Sequence, residues 1–340
     1  MLLHTRSCVL GPIRVGLATN DDRIVAALRE FYALSDRVPG LGDWMVDAIV
    51  DTPDPAVMTV NRWGVGHRCD PDRRLVQLVG ENVHTVAVAA RKTLREVLID
   101  HLEQRRYVML HASAVADNDR VVIIVGDKGA GKTTLALKSV VHHGMRYLSN
   151  DHLIVYAEPG SDPERPRLVL TSLPTPIPVR VGTYLDLEPL LPPPWDGNGV
   201  ALDRWRTTSV DHRHRSEAKV YLTYPQLSQA NPITLRLGDL DAATPSVFVA
   251  LAGYTCGRPV LTAIAEPVAA LLPHVRTDWM FDPILNQHCI ARTERNRVAY
   301  EQDARRLVTA LAARSAVLGW HHHGDPNALV GRTIVKGGDR

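Results

Sequence analysis

The stretch 121–140, "VVIIVGDKGAGKTTLALKSV", decides the fold. It opens on five apolar residues, Val121 to Val125, which suit a buried strand and are too few for a helix. Gly126, then Asp127, Lys128, Gly129 and Ala130, then Gly131-Lys132-Thr133 complete the spacing GxxxxGK[ST], with Thr134 behind it. A helical run to His143 comes next, and Gly144 is a natural stop. Strand, glycine loop and helix in this order are the context in which the motif has a mechanism. The glycines let the loop curl so that backbone N–H groups point inward. The helix offers the positive end of its dipole to a phosphate. Lys132 then reaches the outer two phosphates of a nucleotide, and the Thr133 hydroxyl helps hold Mg²⁺. Gly126 to Thr134 are therefore the expected nucleotide-binding residues, with a nucleotide and Mg²⁺ as cofactors.

Outward from the loop, "YVMLHASAV" (107–115) predicts a strand and "ADND" (116–119) a turn. So short a connection makes this strand the antiparallel neighbour of 121–125. Alternation places Tyr107, Met109, His111, Ser113 and Val115 on one face, where His111 and Ser113 are polar among apolar residues. By itself a histidine there reads as a core residue with its hydrogen bonds satisfied. Downstream, "MRYLS" (145–149) predicts another strand, ending at Asn150-Asp151. At that strand end Asp151 can reach Mg²⁺ or hold His111 in one tautomer; alternatively it is a turn aspartate.

"LHASAV" (110–115), the phosphate loop and "GMRYLSNDHLIV" (144–155) together resemble the HPr kinase/phosphorylase family. They look closer still to the HPr-kinase-related kinases of natural-product (RiPP) gene clusters. The ATP-dependent phosphoenolpyruvate carboxykinases share that core. The resemblance covers residues 107–156. It implies an α/β fold with an HPr-kinase/PEP-carboxykinase-like P-loop core, and an ATP-dependent phosphotransferase. It also implies catalytic roles for His111, Lys132 and Asp151, and for the position of Asn150. Thr133 and Asp151 would be the metal ligands. The family's aspartate pair falls on Asn150 and Asp151. Its first member is taken to be the general base on the attacking hydroxyl, and an amide cannot take a proton. Three readings are open. Asp151 or an acid from elsewhere serves as base; or the acceptor is already ionised and needs none; or the chain binds nucleotide without transfer. The downstream signature that carries a second metal-binding acid is absent, so the resemblance points away from HPr as acceptor. It points to a peptide or small molecule of specialised metabolism. The alternative class is a nucleotide-binding sensor or assembly protein without phosphotransfer.

The remainder of the 340 residues divides by composition. Residues 1–88 read as a small α+β domain. It has a strand at 13–19, a helix capped by Thr19 with Asp22, and strands at 56–63 and 74–80 around a turn at 68–73. A connecting helix covers 89–106, the P-loop domain 107–265 and a helical C-terminal extension 266–340. The segment 203–219 is dense in Arg and His with no apolar period, which reads as a solvated loop. If it closes over the phosphates, Arg215 and Lys219 are the expected substrate contacts, because they adjoin a strand. Arg292, Arg295, Arg297, Arg305 and Arg306 alternate with acids and read as an exposed helix face, and "HHH" (321–323) as tail.

Composition narrows the class. Hydrophobic content of 45% and charged content of 22% are ordinary for a globular protein. A net charge of +2 does not call for nucleic acid or a membrane surface. No apolar run is long enough to span a bilayer. The four cysteines, Cys8, Cys69, Cys256 and Cys289, are far apart and read as free thiols in a cytoplasmic protein. A homo-oligomer stays open.

Overall fold

The computed structural model describes residues 3–37, 39–40, 42–118, 120–162, 165–195, 201–228, 234–237, 246–255, 257–281, 290 and 295–330. Arg292, Cys256 and Cys289 lie outside them. The architecture is mixed α/β. Among the described residues no helix is long and apolar enough to cross a membrane.

The N-terminal part is one sheet. Strands β1 (His4–Leu10), β2 (Ile13–Thr19), β3 (Leu34–Ser35), β4 (Trp44–Val50), β5 (Thr59–Val60), β6 (Gly66–Asp70) and β7 (Leu75–Gly80) run in the order β3-β1-β2-β4-β7-β6-β5. Helices α1 (Asp22–Arg29) and α2 (Val83–Glu103) pack on it. The cap of α1 is Asp21, whose carboxylate accepts from the Arg23 N–H, rather than Thr19. Thr19 is instead buried at the end of β2 and accepts from the Asp21 N–H. The expected turn at 68–73 is shifted to 71–74, because β6 pairs with β7 as far as Asp70 opposite Leu75. The expected connecting helix starts earlier, at Val83, where the Asn82 side chain accepts from the N–H groups of His84 and Thr85. The boundary at 88 therefore falls inside one continuous helix. Its Val86, Ala90, Leu94, Val97 and Leu98 are fully buried, so it belongs to the N-terminal sheet as much as to the P-loop domain.

From residue 107 the chain builds β8 (Val108–Leu110), β9 (Ser113–Ala116), β10 (Arg120–Val125), α3 (Lys132–His143), β11 (Arg146–Ser149), β12 (Leu153–Ala157) and β13 (Leu168–Ser172). Next come β14 (Ile177–Arg180), α4 (Val181–Leu187), α5 (Leu202–Arg206), α6 (Val210–Arg215), β15 (Lys219–Leu222), α7 (Tyr224–Ser228) and β16 (Leu235–Leu237). The chain ends with β17 (Ser246–Tyr254), β18 (Val260–Ala263), α8 (Pro267–Leu271), α9 (Asp278–Phe281), α10 (Arg297–Ala313), β19 (Ser315–His322) and α11 (Asn327–Val330). The central sheet is β11-β9-β10-β17-β19-β18. As the short turn requires, β9 and β10 are antiparallel; β10 and β17 are parallel. A four-stranded sheet β16-β13-β12-β8 and a two-stranded ladder β14-β15 complete the core.

The strand expected over 107–115 is interrupted. Val108 to Leu110 pair with β12 in the four-stranded sheet, whereas Ser113 to Ala116 pair with β10 and β11 in the central one. The partner breaks at the same level, between Ser149 and Leu153. A two-strand ribbon thus passes from one sheet to the other, with His111 in one crossing and Asn150-Asp151-His152 in the other. The freed backbone groups are satisfied locally: the His111 N–H donates to the His274 carbonyl (2.8 Å) and the Ala112 N–H to the Leu110 carbonyl (2.9 Å). The break ends the alternation that would put His111 and Ser113 on one face. Ser113 is fully buried and His111 is partly exposed.

The C-terminal extension is not wholly helical. Helix α10 lies inside the expected segment, but Ser315–His322 is a strand between β17 and β18, parallel to β17. A central position needs apolar residues on its buried faces, and Trp320 supplies one; His322, expected in a loose tail, is fully buried. Nor is the arginine cluster all surface. Arg297, Arg305 and Arg306 are exposed. Arg295 is mostly covered, between Glu103 of α2 (2.6 Å) and Asp303 of α10 (2.7 Å).

Candidate functional site

The loop between β10 and α3 has the curl its glycines allow. Gly126 (φ 144°) and Gly131 (φ 86°) both lie in the region that disfavours side chains. A Cβ on Gly126 would meet the Ala252 carbonyl of β17 at 2.7 Å. One on Gly131 would meet His322 Cε1 at 2.8 Å and the Tyr254 hydroxyl at 2.9 Å. Among the described residues no hydrogen bond engages the backbone N–H of Gly129, Gly131, Lys132 or Thr133. Four donors at a helix start make an anion cradle. Lys132 is buried, and its Nζ donates to the carbonyls of Gly126 (2.8 Å) and Asp127 (3.2 Å). Burial pushes its pKa down, against the opposing charges of Asp151 and Asp127.

A line of side chains runs from this loop into the strand crossing. Thr133 Oγ1 donates to Asn150 Oδ1 (2.8 Å), and Asn150 Nδ2 donates to Asp151 Oδ2 (3.1 Å). His111 Nε2 faces Asp151 Oδ1 at 3.4 Å. Ser113 Oγ donates to the Asn150 carbonyl (2.8 Å), fixing the backbone below. A carboxylate can only accept, so the amide nitrogen must face Asp151 and the amide oxygen must face Thr133. Asn150 is buried. It is a neutral crosspiece between a hydroxyl and a carboxylate, and it does not border the cleft. Burial by itself would raise the Asp151 pKa. The hydrogen bond from His111, with the nearby Lys132 charge, outweighs it and holds the carboxyl below its ordinary value. Burial, reinforced by the Arg276 charge, pushes His152 down to about 3. The ring is neutral, and its Nε2 lies 2.9 Å from Arg276 Nη1.

His111 and Asp151 open into a cleft of about 550 Å³ together with Lys128, Lys132, Thr133 and Thr134. The facing wall is built by β14, α4 and the segment before β15. Thr134 Oγ1 and Thr183 Oγ1 meet at 2.9 Å and tie α3 to α4. Arg180 and Lys128 both reach Glu217, at 2.8 Å and 3.2 Å. Of the two expected substrate residues, Lys219 lines the cleft. Arg215, at the exposed end of α6, does not; His214 stands there instead. The segment read as an open loop is two short helices. Arg206 pairs with Glu188 and Asp203, and Trp205 stacks on His212. Asp186 of α4 holds Arg213 (3.4 Å) and His214 (3.0 Å).

Three groups carried no sequence signal for this site. Arg180 sits in a Pro-rich stretch without a motif, and Tyr254 at the end of a strand. His322 supports the loop from beneath. Its Nε2 contacts the Ala130 carbonyl (2.9 Å) and its Nδ1 accepts from the Gly324 N–H (2.8 Å). A ring that accepts at Nδ1 and donates at Nε2 is neutral, in keeping with the downward pull of burial on its pKa.

No protein-family model and no curated protein matches this chain.

Mg²⁺ can be tested against the residues themselves. Among the described residues no cluster of three His, Cys, Asp or Glu would hold a metal alone. Mg²⁺ needs less than that where phosphates and waters complete its shell. Thr133 and Asp151 are two hard oxygen ligands within reach of one amide, that of Asn150. Thr133 can give its proton to Asn150 and still turn a lone pair to the metal. The residues fit the ion.

Proposed function

We propose that the chain is an ATP- and Mg²⁺-dependent kinase with an HPr-kinase-like core, acting on a peptide or small-molecule acceptor. The run Thr133–Asn150–Asp151–His111, leading from the phosphate loop into the cleft, carries this reading. Lys132 and the free N–H groups bind the outer phosphates. Thr133 and Asp151 would hold Mg²⁺, which supplies charge neutralisation during phosphoryl transfer. His111 turns Nε2 to Asp151, so Nδ1 is its basic nitrogen. It takes the proton of the acceptor hydroxyl as Asp151 steadies the imidazolium. Asn150 orients the two metal ligands and is not itself the base. The β14-β15 ladder, α4 and His214 border the cleft opposite the phosphate loop.

The test has two parts. Calorimetric titration with ATP·Mg²⁺ should show binding that Lys132→Ala weakens at least tenfold, about 1.4 kcal/mol. Single-turnover transfer from γ-labelled ATP should then label a peptide or metabolite made by neighbouring genes. Equal affinity in wild type and Lys132→Ala removes the loop as the nucleotide site. Tight binding with no transfer to any acceptor leaves a nucleotide-binding sensor or assembly protein.

A further inference from the structure

We propose a second anion site in the cleft, made by Lys128, Arg180 and Lys219 and closed by Glu217, which takes an oxyanion group of the phosphoryl acceptor. Its assignment to the acceptor rests on the kinase reading; the site itself does not.

The ladder β14-β15 has only two strands, and Arg180 and Lys219 are direct partners in its register. Like charges directly opposite one another destabilise a ladder; burial of Ile177, Val179, Val220 and Leu222 on its other face holds this one together. Neither side chain is called for by packing, since both border the cleft. Arg180 is balanced by Glu217, whereas Lys219 forms no ion pair among the described residues. Glu217 does more than balance one arginine. Oε1 meets Arg180 on one wall, and Oε2 meets Lys128 of the phosphate loop on the other. The protein thus places a carboxylate of its own where cations from facing walls converge. Glu217 and Lys128 are well exposed, at 59% and 77% for their side chains. Such pairs are screened by water and exchange readily for an oxyanion carried in by a ligand.

Arg180 and Lys219 are also surplus to a nucleotide. Lys132, the loop N–H groups and the Thr133–Asp151 pair already serve the phosphates and their metal. Arg180 and Lys219 against one carboxylate leave the far wall positive, and with Lys128 across the cleft they would read a carboxylate or phosphate on the acceptor. Glu217 holds the site until that group arrives.

The experiment uses the full chain saturated with a non-hydrolysable ATP analogue and Mg²⁺. Inorganic phosphate and acetate are titrated separately by calorimetry; the tighter of the two identifies the kind of oxyanion. One equivalent should bind per chain. Glu217→Gln should tighten it at least threefold. Arg180→Gln with Lys219→Gln should weaken it at least tenfold and leave analogue affinity within twofold, with both variants checked for folding by circular dichroism. The site is overturned if neither anion binds the analogue complex. It is also overturned if the double variant weakens the analogue tenfold, since those cations then belong to the nucleotide. A Glu217→Gln chain that binds no more tightly than wild type overturns the closing role. If the analogue itself does not bind, the kinase reading fails alone. Phosphate titrated into the free Lys132→Ala chain then decides the second site: binding abolished by the double variant supports it, and no binding overturns it.

Discussion

His111 Nε2 lies 3.4 Å from Asp151 Oδ1, at the level where two neighbouring strands both leave one sheet for another. Each residue stands in a gap between strand segments, so neither side chain is confined to a pleat. That freedom lets them face each other beside the phosphate loop. On the proposed kinase reading, His111→Ala should reduce phosphoryl transfer by about 10²–10⁴-fold, the range for a positioned acid–base group. ATP·Mg²⁺ affinity should change less than about threefold, because His111 is assigned no phosphate contact. Single-turnover transfer and calorimetry on one preparation check both halves. A variant that loses nucleotide affinity as steeply as transfer would place His111 in the nucleotide site.

Asn150→Asp tests the crosspiece. The amide donates to Asp151 at 3.1 Å; a carboxylate there would face another carboxylate in a buried place. One of the two would have to take up a proton. Stability at pH 7.5 should fall by roughly 2–4 kcal/mol, as for other unpaired buried charges. The loss should shrink as pH falls to 5, when the shared proton is supplied. Urea unfolding of both chains at the two pH values measures this. A variant as stable as wild type at pH 7.5 would contradict the Asn150–Asp151 contact.

His322→Ala probes the support beneath the loop. The ring contacts the Ala130 carbonyl and packs beside Gly131, without bordering the cleft. Its removal should leave a cavity and an unsatisfied carbonyl, costing about 2–4 kcal/mol. ATP affinity should also drop several-fold, although no cleft group has changed. Titration calorimetry, run beneath the variant's melting temperature, separates the two effects. His322→Gln, which can still donate, should recover part of the affinity.

Acid sensitivity has a definite sign. Burial, aided by the Arg105 charge, pushes His101 down to about 4; burial and the Arg276 charge push His152 down to about 3. In the unfolded chain both take up a proton near 6.5. Below that pH the unfolded state binds protons that the folded state does not. The stability they confer is complete above about pH 6.5 and declines as pH falls toward 4 and then 3. Asp151, with its lowered pKa, loses its contribution only below the ordinary carboxyl range. Urea midpoints should therefore decrease between pH 7 and 5, before the carboxylates titrate. His152→Gln should flatten that slope. A level midpoint across this interval would refute the assignment.

What the sequence determined by itself is local. The run of valines and isoleucines, the glycines that take positive φ, and Lys132 at the helix start are all specified within 121–143, and the short turn at 116–119 specifies the hairpin with Ser113–Ala116. Asp151 was legible for the same reason, as an acid just beyond the next strand. The tertiary structure decided the rest, because each remaining feature depends on partners far away in the chain. Whether 107–115 runs straight is set by β12, which draws Val108–Leu110 into another sheet. Asn150 reads as a lost base in sequence; its contacts with Thr133 and Asp151 make it a crosspiece. Parallel pairing with β17 turns two histidines of apparent tail, His321 and His322, into the end of a central strand and puts His322 under Ala130. Arg180 and Lys219 meet only because two short strands pair in that register. Helix and turn propensities act over a few residues, whereas sheet partners are chosen by packing and hydrogen bonding across the whole chain.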